Sequence, residues 1–354
     1  MLSTVNESRR RSQSHGYAPL DAITLEFTVP SNEGNTMTSP SPGVGFRFAG
    51  VGSHLPETIV TNDDLSKNMD TTHAWIMERT GIAQRHVGGS TSELATIACQ
   101  RAMDRAGVGP DDIDQLLLAT TSPDFICPGT APAVANNLGL DCGALDIQAA
   151  CSGWVYGLVH ANGLLLQGMD RVLVAGAEAL DKITDYTDRG TGILFGNGAG
   201  AAVIERDPTG AGELLGFDLG AAGEYVRILF AEHGGMLQMD GKEVFRQAVT
   251  AINRSATNAL GRAGLTVADI DLVIPHQANI RIVESAWKKL GFSMEQTAMR
   301  LHETGNTSAA SIPLVLDQAL DQGRIKEGSI VMFLGFGAGM TWATTIHRWS
   351  GDVR

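Results

Sequence analysis

Leu145-Asp-Ile-Gln-Ala-Ala-Cys-Ser-Gly-Trp154 sets the reading of the whole chain. Its apolar start has the character of a buried strand. The pattern breaks at Cys151-Ser-Gly153, and a helical periodicity follows from Val155. A strand passing into a helix through a short turn is the building unit of an α/β fold. It leaves a thiol at the strand tip and at the positive end of the helix dipole, a setting that favours the nucleophilic thiolate. Two later stretches place polar residues beside apolar segments, Pro275-His-Gln-Ala-Asn279 and Gly305-Asn-Thr-Ser-Ala-Ala-Ser311. One cysteine, one histidine and one asparagine in such settings point to acyl-thioester chemistry.

Outward from this unit the chain repeats itself. Arg105-Ala-Gly-Val-Gly-Pro-Asp-Asp-Ile-Asp114 precedes the apolar Leu116-Leu-Leu-Ala119, and Arg262-Ala-Gly-Leu-Thr-Val-Ala-Asp-Ile-Asp271 precedes Leu272-Val-Ile-Pro275. Each reads as a helix end, a short loop and a buried strand. Gln167-Gly-Met-Asp-Arg-Val-Leu-Val-Ala-Gly176 is echoed by Gln322-Gly-Arg-Ile-Lys-Glu-Gly-Ser-Ile-Val331, and Gly196-Asn-Gly-Ala-Gly200 by Gly335-Phe-Gly-Ala-Gly339. Three echoes in one order argue for duplication. The expectation is two related α/β halves, 45–210 carrying the cysteine and 211–354 carrying the histidine and asparagine. The helices after Cys151 and Asn306 would meet at a central axis, with the site at the junction.

The totals narrow the function. With 354 residues, 43% hydrophobic and 18% charged, the chain can bury a large core. A formal net charge of -13 argues against nucleic acid or an anionic membrane as partner. The cysteines Cys99, Cys127, Cys142 and Cys151 form no CxxC pair, no metal-ligand spacing and no disulfide framework, which fits a reducing cytoplasm. No apolar run is long enough to span a bilayer, and the N-terminus lacks a signal core. Residues 1–44, polar and ending in Ser39-Pro-Ser-Pro-Gly43, read as a disordered extension. Met37 fits an internal start; a short targeting or docking arm is the competing reading.

From about residue 45 to 354 the chain resembles β-ketoacyl-acyl carrier protein synthase III, the initiating condensing enzyme of the thiolase-fold superfamily. The motifs carrying the likeness are Trp75-Ile-Met-Glu-Arg-Thr-Gly-Ile82, Ala149-Ala-Cys-Ser-Gly153, Thr187-Asp-Arg-Gly-Thr191 and Phe195-Gly-Asn-Gly-Ala-Gly200. Pro275-His-Gln-Ala-Asn279, Gly305-Asn-Thr-Ser-Ala-Ala-Ser311 and Gly335-Phe-Gly-Ala-Gly-Met-Thr-Trp342 follow in order. The resemblance implies an α/β thiolase-like fold of two duplicated halves, layered α-β-α-β-α, and a homodimer. It implies a catalytic triad of Cys151, His276 and Asn306, with the amides of Cys151 and of the Ala338-Gly339 turn as oxyanion donors. The substrates would be an acyl-CoA and malonyl-acyl carrier protein, whose phosphopantetheine arm belongs to the carrier; no metal or other cofactor is called for.

The resemblance places CoA or pantetheine contacts at Trp75, Arg79, Arg189 and Asn279, with Arg189 stacking opposite Trp75. It places carrier-protein docking at Arg281, Lys288 and Lys289, with Arg246 as an addition, and the acyl pocket at Cys127 and Phe195. Taken singly, these residues also fit plainer roles. Cys151 suits a core position, His276 a loop, Asn306 a helix cap, Trp75 an amphipathic face, and the basic cluster a solvated surface.

Departures from the family pattern are the extra tail, a short stretch from Leu214 to Asp240 that leaves Glu224–Glu232 unmatched, and Ala338 where glycine is common. Cys127 stands where the family often has a larger residue, on a segment that reaches across the dimer, so the pocket would admit a longer or branched acyl group. A thiolase would want a second cysteine after Cys151. An elongating condensing enzyme would want two histidines, and a hydroxymethylglutaryl-type synthase a glutamate beside the cysteine. The remaining alternatives are a starter-unit synthase or acyltransferase of polyketide or specialised metabolism, and a partner protein that has lost catalysis.

Overall fold

The computed structural model describes residues 45–351; the extension read over 1–44 lies outside the described residues, as do 352–354. The first half runs β1 (Gly45–His54), β2 (Thr58–Thr61), α1 (Asn62–Leu65), α2 (His73–Thr80), β3 (Gln84–Val87), α3 (Thr91–Ala106), β4 (Gln115–Ala119), α4 (Ala131–Leu138), β5 (Gly143–Ile147), α5 (Gly153–Leu166), β6 (Arg171–Glu178) and β7 (Gly198–Asp207). The second runs β8 (Glu213–Ala221), β9 (Leu229–Phe230), β10 (Gln238–Met239), α6 (Gly241–Ala263), β11 (Leu272–Pro275), α7 (Ile280–Leu290), α8 (Leu301–Thr304), α9 (Ser311–Asp321), β12 (Ile330–Gly337) and β13 (Thr341–Arg348).

Two sheets carry the fold. The first has the order β1-β7-β6-β4-β5, and the second β11-β12-β13-β8. From β1 to β4 the pairings are antiparallel, antiparallel and parallel, and from β8 to β11 the same sequence recurs. Local signals explain the recurrence. α3 opens on a Ser90–Glu93 capping box and closes on Gly107 at φ 68°. α6 closes on Gly264 at φ 67°. After each glycine a single 3-10 turn, Pro110–Asp112 or Val267–Asp269, leads into β4 or β11. This is the structural content of the paired Arg-Ala-Gly segments.

Burial sorts the helices into layers. α3 and α4 pack through Leu94, Ala98, Val134 and Leu138 on one face of the first sheet. α6 and α7 pack through Ile252, Ala256, Val283 and Trp287 on one face of the second. α5 and α9 lie between the sheets, where Trp154, Leu158, Ile312 and Leu316 meet Val174, Ile204, Ile274 and Phe333. The architecture is therefore α-β-α-β-α, as the sequence implies. Trp154 is fully buried, donates from Nε1 to the Val174 carbonyl at 3.2 Å, and meets Phe333 edge-on at 5.4 Å. Truncating such a side chain costs about 3–5 kcal/mol. No described helix is long and apolar enough to cross a membrane.

Among the buried polar residues, His347 lies deepest in the aromatic part of this layer. His347 of β13 is buried among Phe46, Phe48 and Phe333, with ring centroids 4.8, 5.4 and 5.4 Å away, and neither ring nitrogen has a hydrogen-bond partner. Burial pushes its pKa from 6.5 down to about 3. The unfolded chain takes up a proton on this ring below pH 6.5, and the folded chain resists until about 3. Stability therefore falls as the pH drops through that window and is untouched above it, by an amount on the order of a few kcal/mol. His347→Leu, close in volume and without the ring nitrogens, is expected to move the acid-unfolding midpoint to lower pH. An unchanged midpoint in a circular-dichroism titration would refute this.

Candidate active site

Cys151 lies between β5 and α5, in a 3-10 turn spanning Ala150–Ser152. Ala150 holds a left-handed φ of 47°. The strand ends at Ile147 and the helix begins at Gly153, so the reversal is sharper than the sequence suggests. Gly337, at the end of β12, packs directly on the turn: a Cβ there would come within 2.6 Å of the Cys151 nitrogen. Only glycine permits that approach.

The thiolate expected from the helix dipole is not the resting form. Burial pushes the Cys151 thiol up to about 12, and the charge of buried Glu178 acts in the same direction; a Ser308 hydroxyl contact and a backbone contact oppose it. The sequence places Cys151 at a helix start but gives no measure of its burial, and burial dominates. Cys151 is thus a thiol in the free protein.

His276 follows β11 and is 1% exposed. Its Nδ1 pairs with the Ser311 Oγ at 2.7 Å, and Phe336 stands edge-on at 5.0 Å. Burial pushes its pKa down to about 3, so the ring is neutral at physiological pH. Asn306 follows Gly305, whose φ of 64° sets the turn. The Ser308 N–H donates to Asn306 Oδ1 at 2.9 Å, leaving the amide nitrogen as a donor. A parallel bridge from Phe195 to Asn306 ties the two motif loops together.

Cys151, His276 and Asn306 line one cavity of about 500 Å³, together with Phe195, Trp75, Arg79, Arg189, Asn279 and Arg281. The guanidinium carbons of Arg79 and Arg189 each lie 4.8 Å from the Trp75 ring centroid. Arg79 comes from the same helix, four residues on, whereas Arg189 arrives from the loop after β6. Such a cation–π arrangement can open to receive a flat heterocycle. Asn279 caps α7, accepting from the Arg281 N–H at 2.9 Å, while its Nδ2 donates to the Arg79 carbonyl at 2.9 Å.

Other candidates lie elsewhere. Ala338 and Gly339 form the next turn after Gly337 and are absent from the cavity lining; Gly337 and Met340 are there instead. Ala338 is not among the residues of left-handed φ, so a side chain there is unstrained. Cys127 is exposed and outside the lining. Its neighbours Phe125 and Ile126 are 64% and 79% exposed, and the edge strand β5 exposes Leu145. Lys288 and Lys289 occupy the last turn of α7. Arg246 on α6 is held by Glu243, with donations at 2.6 and 3.0 Å.

The sequence left the wall of the cavity unread. Leu229, from the unmatched Glu224–Glu232, and Met239, from the short stretch around it, line it. So do Phe245 and Ile282, which follow ordinary helical periodicity. Glu178 and Ser308 were missed as well. The only sequence signals were an acid ending an apolar strand and a serine inside an asparagine motif.

Two mirrored sheets, a buried thiol on a turn between them, and a histidine and asparagine on the same cavity define a condensing enzyme of the thiolase superfamily. Residues 145–223 match the family model described as 3-oxoacyl-[acyl-carrier-protein] synthase III, and residues 260–349 match the model of its C-terminal part. The β-ketoacyl-[acyl-carrier-protein] synthase III of Dinoroseobacter shibae is 43% identical over 316 residues, covering 85% of this chain and 98% of that protein. The synthase of Caldanaerobacter subterraneus is 44% identical over 321 residues, covering 85% and 97%. The crystal structure of the Aquifex aeolicus 3-oxoacyl-[acyl-carrier-protein] synthase III superposes with a TM-score of 0.84 at 37% identity, covering 86% of this chain and all of that one. The chain belongs to the β-ketoacyl-acyl carrier protein synthase III family.

Proposed function

We propose that the chain joins an acyl-CoA starter to malonyl-acyl carrier protein by decarboxylative Claisen condensation, the initiating step of fatty acid biosynthesis. The observation that carries this reading is the single cavity, which runs from the Trp75 cation pair to the buried Cys151, His276 and Asn306. A nucleotide-bearing thioester would enter by its acyl end and leave its adenine at Trp75, with Arg79 and Arg189 around the ring and phosphates and Asn279 beside the pantetheine.

In the first half-reaction the Cys151 sulfur bonds to the acyl carbonyl carbon, the bond to the CoA sulfur breaks, and the thiol proton leaves with CoA. The backbone N–H of Cys151 and one from the adjoining Gly337–Gly339 turn would hold the oxyanion. In the second, malonyl loses carbon dioxide, and the released electron pair becomes a thioester enolate. Neutral His276 and the Asn306 amide suit that oxygen as two uncharged donors. The role requires the Ser311 hydroxyl to donate to Nδ1, which places the ring proton on Nε2. The carbanion attacks acyl-Cys151, a carbon–carbon bond forms, and the cysteine sulfur departs and is reprotonated. The thioesters supply the activation, so no metal or redox cofactor enters; the phosphopantetheine belongs to the carrier.

The carrier would dock on Arg281, Lys288 and Lys289, with Arg246 nearby, since an acidic partner complements that exposed basic run. We assign the protein to the cytoplasm and to a homodimer. The open edge of β5 and the exposed Phe125–Ile126 pair give the second copy an apolar surface to cover. That contact would carry Cys127 to the partner's acyl pocket. Cys127→Phe is then expected to shift acyl preference toward shorter chains, measured as acylation rates across acyl-CoA lengths. Identical length profiles would sink this assignment.

The whole reading is tested by supplying an acyl-CoA panel with malonyl-acyl carrier protein and following carbon dioxide and product mass together. Equimolar carbon dioxide and β-ketoacyl carrier are expected. Acyl transfer to another nucleophile without carbon dioxide would replace the reading with simple acyltransfer, the alternative that the family likeness does not favour.

A further inference from the structure

The duplication places two versions of one turn in the same chain. Ala150 and Ser308, with φ of 47° and 45°, are the two non-glycine residues of left-handed backbone among the described residues. Each opens a 3-10 turn, Ala150–Ser152 or Ser308–Ala310, and each turn runs straight into a central helix, α5 or α9. Each is overlain by a strand glycine. A Cβ on Gly337 would come within 2.6 Å of the Cys151 nitrogen, and one on Gly176 of β6 within 2.4 Å of the Ala309 oxygen. Cys151 and Ala309 thus occupy matching positions. The first turn presents the nucleophile. At the second, a carboxylate is already in place.

That carboxylate is Glu178, the last residue of β6, with no exposure to solvent. Its Oε1 accepts from the Ala309 N–H at 3.4 Å. Its oxygens also accept from the Thr121 N–H at 3.0 Å, the Ser122 N–H at 3.1 Å, and the hydroxyls of Thr121 at 2.9 Å and Ser122 at 2.6 Å. Backbone N–H groups only donate, so this nest favours the carboxylate form, against the burial that pushes the Glu178 pKa up.

Ser308 stands between this nest and the reacting groups. Its N–H holds Asn306 Oδ1 at 2.9 Å. Its backbone also acts on the His276 ring, holding its pKa up against burial. Its hydroxyl is buried, has no hydrogen-bond partner of ordinary geometry, and stands beside both the Cys151 thiol and the Glu178 carboxylate. Ser308 therefore bonds Asn306 directly, and its turn packs on the turn that carries Cys151. A left-handed non-glycine residue is strained and persists only where its surroundings over-determine it.

The geometry points to Glu178 as a positioning residue for the condensation: its buried carboxylate locks the Ser308 turn, and through that turn it fixes Asn306, His276 and the surroundings of Cys151. This rests on the reaction given above. Glu178→Gln keeps the shape but brings an NH₂ donor into a nest of donors, so at least one N–H loses its acceptor and the turn relaxes. Misplacing the three groups by a fraction of an ångström slows chemistry without touching the Trp75 mouth.

The test compares wild type, Glu178→Gln, Glu178→Asp and Ser308→Gly in condensation kinetics, with thermal unfolding as the control for folding. Glu178→Gln is expected to lower kcat by roughly tenfold to a hundredfold, with the KM for acyl-CoA within about twofold of wild type. Glu178→Asp, which keeps the charge, should recover part of that loss. Ser308→Gly accepts the left-handed backbone, loses the hydroxyl and stiffness, and should lower kcat about tenfold. A folded Glu178→Gln enzyme with wild-type kcat overturns the inference, as does an Asp variant no better than Gln. If Glu178→Gln does not fold, Ser308→Gly decides, and wild-type kcat there overturns it equally. Should wild type itself form no β-ketoacyl product, the reaction assignment fails and the role of Glu178 is not what failed.

Discussion

Cys151→Ala is expected to take up no acyl group from any acyl-CoA and to lose condensation by a factor on the order of 10⁴ or more, the scale of losing a nucleophile. Intact-protein mass spectrometry reads the first effect directly: wild type gains one acyl mass, and the variant gains none. The variant should fold normally, because Cys151 is a small buried side chain and alanine leaves little void. Acyl uptake that survives in Cys151→Ala would move the nucleophile elsewhere and undo the assignment. The raised thiol pKa adds a second expectation. A thiol pushed to about 12 is poorly nucleophilic toward simple alkylating agents at neutral pH, so iodoacetamide should label Cys151 slowly in the free enzyme. Rapid labelling would show that the turn delivers a thiolate after all.

His276→Ala separates the two half-reactions. In the proposed reaction His276 is an uncharged donor to the enolate oxygen and acts after Cys151 is loaded. The variant should therefore still accept an acyl group while carbon dioxide release falls about 10²–10³-fold, the scale seen when one fixed donor is removed. Equal loss of loading and decarboxylation would instead make His276 the acceptor of the cysteine proton. The ring pKa of about 3 fixes the sign of the pH dependence. From pH 7 down to 5 the free-enzyme ring stays neutral, so His276 contributes no acid limb to kcat/KM in that range. A limb near 6.5 that disappears in the variant would contradict the buried neutral ring.

Much of the fold was legible because its signals are local. Gly107 and Gly264 announce helix ends through a backbone that other residues adopt at a cost, and the strands after them are unbroken apolar runs. Trp75 and Arg79 sit on one helix face, four residues apart, and can be paired by eye. Arg189 has no local tie to either and is placed beside them only by family likeness.

The misreading at Cys151 has the opposite character. Proximity to a helix start is written in the sequence, whereas burial by Gly337 depends on a strand almost two hundred residues away. Ala150 and Ser308 give no hint of left-handed backbone, because neither is glycine or asparagine. Leu229 and Met239 come from a stretch without periodicity, so nothing in the pattern directs them toward a cavity.

The paired turns have one more consequence, and it concerns stoichiometry. An ancestor made of two identical halves would have had two equivalent reacting ends. In this chain one of them is filled by its own Glu178, which holds the place that a transient anion would need. In the proposed reaction this leaves a single loading event per polypeptide, and two copies together would carry two acyl groups and no more.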